Sequence, residues 1–128
     1  MCKSRVLFLS LGILFGAANT AQALICDVGG RWTIRQSDGS VVEADIIKRS
    51  PESNGSELVG VARFGNVTGR VTSGFIHDAN IVLIIQFGHA GKYDGSVRQS
   101  GRIRGTNFDL NTAGPLQTFA TDQSFRCR

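Results

Sequence analysis

His77 and His89 are the only imidazoles in the chain, and each sits among turn-forming residues, His77-Asp78-Ala79-Asn80 and Gly88-His89-Ala90-Gly91. His77-Asp78 could orient an imidazole toward a serine, but no G-x-S-x-G elbow supplies the nucleophile of a hydrolase triad. Spacings of the H-x-x-x-H, C-x-x-C and H-E-x-x-H kinds are missing, so neither a structural nor a catalytic zinc site is expected. Glycoside hydrolysis would need two carboxylates projecting into one cleft. Asp94 and Asp109 are the candidates, and strand alternation turns Asp94 outward. The glycine-rich turns lead into strands rather than helices, which removes a phosphate cradle at a helix N-terminus. These residues predict a protein that is not an enzyme and carries no metal or cofactor.

The cysteines support a different kind of chemistry. Lys3 and Arg5 precede an apolar run from Val6 to Ala18, and Ala21-Gln22-Ala23 follows as an A-x-A site. This is the pattern of a secretory signal peptide over residues 1–23. The run is too short for a membrane span, which needs about 20 apolar residues. Ile25 before Cys26 is too large for a lipid-attachment box, so the expected product is a free, exported domain over residues 24–128, periplasmic or extracellular. Cys2 leaves with the signal, and Cys26 and Cys127 remain at opposite ends of the domain. In an oxidising compartment two such cysteines most simply pair.

Charge narrows the partners. Loss of Lys3 and Arg5 reduces the 14 basic residues to 12 against 10 acidic, a net charge of +2. That gives no general reason to expect nucleic acid. Lys92, Arg98, Arg102 and Arg104 gather on one expected hairpin, with Arg63 and Arg70 on neighbouring strands. A solvated outer face accounts for them, and attachment to an acidic polymer is the functional alternative.

The elements that must position these residues are strands. The chain has 128 residues, 41% of them apolar, with 16 Gly and 2 Pro, enough for one small domain rich in turns. Turn signals such as Ser37-Asp38-Gly39-Ser40 and Asn111-Thr112-Ala113-Gly114-Pro115 recur between segments rich in Val, Ile, Thr and Phe. The spacing predicts eight strands at about 30–36, 41–48, 57–64, 67–76, 81–87, 92–98, 102–110 and 116–122. Short connections favour antiparallel neighbours, so the expected fold is all-β, a single eight-stranded up-and-down barrel closed near its termini by a Cys26–Cys127 disulfide.

Gly60, Gly69, Gly95 and Gly105 each fall mid-strand, flanked two residues away mostly by apolar residues or Ala. Alternation then turns these glycines inward, with Thr68, Arg70, Asp94, Ser96, Arg104 and Thr106 facing water. Inward glycines either let a narrow barrel coil around Trp32 and the phenylalanines, or leave a hollow for a ligand. The same alternation turns Trp32, Gln36, Tyr93 and Asn107 inward, and these are the expected ligand-binding residues.

Gly30-Arg31-Trp32 at the start of the first strand resembles the G-x-W opening of lipocalins and related calycin barrels. With Ser40 in the first turn and short glycine-centred strands, the outline is also similar to the avidin group. The resemblance implies a barrel that holds a small ligand, with Arg126 as the match to the basic residue that packs across the tryptophan in calycins. Avidin-type biotin sites use further tryptophans on later strands; here Trp32 stands alone, and biotin is not carried over.

The expected function is therefore an exported, non-enzymatic binding protein with a small ligand in one end of the barrel. An exported interaction protein, such as a hydrolase inhibitor acting through a loop or surface, is the alternative. Ile81-Val82-Leu83-Ile84-Ile85-Gln86-Phe87 adds one further expectation. Both faces of this strand are apolar, so its outer face is expected to be covered by a second copy in a homodimer or by the C-terminal tail with Phe125.

Overall fold

The computed structural model describes residues 23–112 and 114–128. Apart from Ala23, the expected signal peptide lies outside the described residues. Ten strands follow one another: β1 Cys26–Asp27, β2 Gly30–Gln36, β3 Val41–Lys48, β4 Gly55–Phe64, β5 Val67–His77, β6 Asn80–Gln86, β7 Ala90–Val97, β8 Arg102–Asp109, β9 Gln117–Ser124 and β10 Arg126–Cys127. Strands β2 to β9 form a closed barrel in which every pair is antiparallel and each strand neighbours the next. This is the expected eight-stranded meander. The short strands β1 and β10 pair outside it, with Cys26 opposite Cys127 and the two sulfurs bonded.

Alternation decides what the barrel encloses. Trp32, Ile34, Leu58, Ile76, Ile81, Leu83, Ile85 and Ile103 point inward and are buried. Trp32 stands in a cross-strand row with Ala44, Ala62 and Gly69, so one large ring is accommodated by three small neighbours. A second row sets Ile81, Gly95, Gly105 and Phe119 side by side. A Cβ on Gly105 would collide with the Asp94 carbonyl and Gly95 Cα, and one on Gly95 with the Arg104 carbonyl. The glycines are thus sites of close backbone approach, and the Phe119 ring lies over them.

Barrel closure is weakest between first and last strands. Strands β2 and β9 share only three register positions, Ile34–Thr121 to Gln36–Phe119. Beyond them the Gln123 side chain replaces the ladder: its Oε1 accepts the Thr33 N–H at 2.6 Å, and its Nε2 donates to Thr33 Oγ1 at 2.9 Å. Thr121 fills the neighbouring β8–β9 bulge, accepting the Ile103 N–H and donating to the Gln123 carbonyl. The seam therefore leaves few polar groups unpaired.

Candidate functional site

The two ends of the barrel are built differently. At the end that holds β1 and β10, Trp32 Nε1 donates to the Val28 carbonyl at 2.7 Å, and the Phe125 ring packs on the indole with centroids 5.7 Å apart. Lys48 is only 6% exposed, yet its Nζ donates to the Cys26 carbonyl at 3.0 Å and the Pro51 carbonyl at 3.3 Å. Burial lowers the Lys48 pKa from its ordinary value, and the nearby Asp27 charge opposes that shift. Disulfide, indole, lysine and Phe125 together form a plug.

Residue expectations at this end need two corrections. Trp32, expected to line a ligand pocket, is inward but sits within this plug and borders no pocket wall at the other end. Arg126, matched by resemblance to the basic residue across the tryptophan, is exposed, and Phe125 occupies that place instead. Phe125 is also thereby unavailable as a cover for the outer face of β6.

The opposite end is open. A cavity of about 180 Å³ enters it from the turns after β2, β4, β6 and β8, and Gln36, Tyr93, Asn107 and Gln117 line its wall. Tyr93, Asn107 and Gln117 stand opposite one another on β7, β8 and β9, in one row of the inner surface. Three of the four expected residues therefore meet in one cavity. Phe64 and Phe87, with ring centroids 6.1 Å apart, form an aromatic rim, and Asp38, His89 and Asp109 bring the titratable groups.

A polar chain organises this mouth. The Tyr93 hydroxyl donates to Gln36 Oε1 at 2.5 Å. The side-chain amides of Gln36 and Gln117 lie near enough to the Asp38 carboxylate to favour its charged form. Asp38 also accepts the Ser40 N–H at 2.9 Å in the turn that follows β2. That backbone bond, opposed by burial and helped by the nearby Ser40 hydroxyl and two amides, holds the Asp38 carboxyl below its ordinary range. Burial, with a smaller contribution from the Asp38 charge, raises the Tyr93 phenol well above its ordinary value. Tyr93 is accordingly a neutral donor at any physiological pH.

Among the described residues two buried side-chain atoms are left over. Asn107 Oδ1 and Gln117 Oε1 are buried side-chain acceptors with no hydrogen-bond partner. Asn107 as a whole is 5% exposed. An unpaired buried polar group costs about 1–3 kcal/mol, and these two belong to cross-strand neighbours in one cavity wall. Gln117 and Asp38 were not expected at the site. Gln117 begins β9 directly after an irregular loop, and Asp38 reads in sequence as an ordinary turn residue.

Elsewhere, the basic residues spread over the outer wall. Arg63 pairs with Glu43 at 3.4 Å, Arg102 donates to the Thr121 carbonyl, and Arg98 and Arg104 border a shallow groove with Arg35. Among the described residues no three His, Cys, Asp or Glu side chains converge as metal ligands, and no helix is long and apolar enough to cross a membrane. The molecule is thus defined as a closed eight-stranded barrel, clasped by a disulfide at one end and hollow at the other. Comparison of the chain with known protein families, curated proteins and solved structures finds no match.

Proposed function

We propose that this protein is an exported, non-enzymatic binding protein that takes a small ligand into the open end of its barrel. The single observation that carries the reading is the pair of unpartnered acceptors, Asn107 Oδ1 and Gln117 Oε1, in the wall of the cavity. A ligand that supplies the missing donors recovers the cost of leaving them bare. The cavity suits a ligand near the size of one ring, because a dry cavity of about 150 Å³ accepts benzene. Export rests on the signal-peptide pattern of residues 1–23 and agrees with the Cys26–Cys127 bridge. Kinship with calycins is part of this proposal, since barrel form alone is shared by unrelated functions.

Native mass spectrometry of the protein purified from its own source tests the reading. A discrete added mass that disappears on gentle activation is the expected result. A spectrum of bare chain only, from protein never denatured or dialysed, would count against it.

A second reading is favoured by the outer surface. Ile47 faces Val59 across β3 and β4, and Phe75 faces Val82 across β5 and β6. Phe75 is 51% exposed and Val82 36%, while Ile81, Leu83 and Ile85 of the same β6 strand are buried. This apolar outer face supports a protein interface, with a homodimer through Ile81–Phe87 as its simplest form. Light scattering at high concentration decides: a dimer that Ile84→Lys converts to a folded monomer supports the interface, and a wild-type monomer removes it.

A further inference from the structure

We infer that the open end of the barrel selects small cationic ligands bearing N–H donors, such as an amidinium or guanidinium group carried on a flat apolar body. This rests on the reading of that cavity as a ligand site and adds the chemical class.

Three observations converge on it. First, the wall carries free acceptors: among the described residues, Asn107 Oδ1 and Gln117 Oε1 are buried side-chain atoms without partners. The two residues are direct cross-strand partners on β8 and β9, which sets their Cβ atoms about 5 Å apart. A forked donor group can meet both.

Second, the charge of the mouth opposes that of the chain. Asp38 and Asp109 line the cavity, and no lysine or arginine does, although the exported chain carries two more basic than acidic residues. His89 lies 3.6 Å from Asp109 and adds a further nitrogen at the rim. An anion entering here would meet two carboxylates and two carbonyl oxygens, whereas a cation meets complementary charge.

Third, the rim is aromatic. Phe64 and Phe87 border the entrance, and their rings offer apolar and cation–π contact to a flat cationic body.

Benzamidine, benzamide and benzoate share one ring and differ in the head group, so titration of all three into the full chain by calorimetry tests the class. Benzamidine is expected to bind, benzamide roughly tenfold or more weakly, and benzoate not measurably. Asp38→Asn keeps the turn acceptor but removes the charge. It is expected to weaken benzamidine several-fold and benzamide by clearly less. Asn107→Leu is expected to weaken both, with circular dichroism confirming that the barrel remains folded. Benzoate binding as tightly as benzamidine would overturn the cationic class but leave a ligand site in place. Failure of all three overturns the class, and the ligand site itself then stands or falls on the co-purified mass described above.

Discussion

The plugged end and the open end of this barrel use the same kind of wall for opposite purposes. At the plugged end the polar groups around the core are matched: the indole N–H has a carbonyl, the buried lysine has two, and β1 and β10 are joined by a disulfide. At the open end the wall stops short of satisfying itself, with two buried acceptors bare on residues that line the cavity. Core chemistry minimises such unpaired groups, and sites retain them because a ligand completes them. Stability is therefore expected to concentrate at one end and binding capacity at the other.

Substitutions at the two ends should separate these roles. Trp32→Ala empties the middle of the plug and should cost about 3–5 kcal/mol in denaturant unfolding, without selectively altering the far cavity. Cys26→Ser opens a loop of sequence separation 101. It should cost about 2–5 kcal/mol, and non-reducing peptide mapping of the wild type should recover Cys26 linked to Cys127. Two free thiols in exported protein would remove the clasp from the account. Gly95→Val, between the ends, drives a side chain toward the Arg104 carbonyl and the Phe119 ring, and should cost at least about 1–3 kcal/mol. A neutral result there would mean a wall looser than the close strand approach implies.

The mouth offers a gentler test, because Tyr93 is the sole tyrosine. Its phenol pKa is raised by burial, then by the Asp38 charge. The sign follows from linkage: the buried neutral phenol contributes fully below its unfolded value near 10, and that contribution is lost as pH rises from there toward the higher folded value. Phenolate absorbance should therefore stay flat past pH 10 and rise only when the barrel unfolds. A smooth titration at about pH 10 in folded protein would place Tyr93 in solvent and break its bond to Gln36.

Much of this contrast was legible in the sequence because strand alternation is a short-range rule. It put Gln36, Tyr93 and Asn107 inside, and Asn107 was conspicuous as the polar residue at a position two from an inward glycine, where the other such positions are mostly apolar or Ala. The barrel itself followed from turn spacing, and the disulfide from two cysteines in an expected oxidising compartment. Alternation says which face a residue takes but not which end of the barrel it reaches, and that is why Trp32 was grouped with residues from the opposite mouth. Gln117 escaped notice because its role depends on the register of β9 after a loop, where one residue reverses the face. Asp38 acts through two amides from different strands, a relation that only closure of the barrel creates. The Phe125 contact with Trp32 likewise depends on the clasp that returns the C-terminus to the first strand.

Equilibrium unfolding of Asn107→Leu beside the wild type tests the central claim most directly. Leucine removes the bare acceptor and its bulk can enter the cavity, so an open end built for a ligand should become more stable, by about 1 kcal/mol, with an unchanged denaturant slope. A loss of 1 kcal/mol or more would make Asn107 a structural residue like those of the plug, and the division of the barrel into a stabilising end and a binding end would fail.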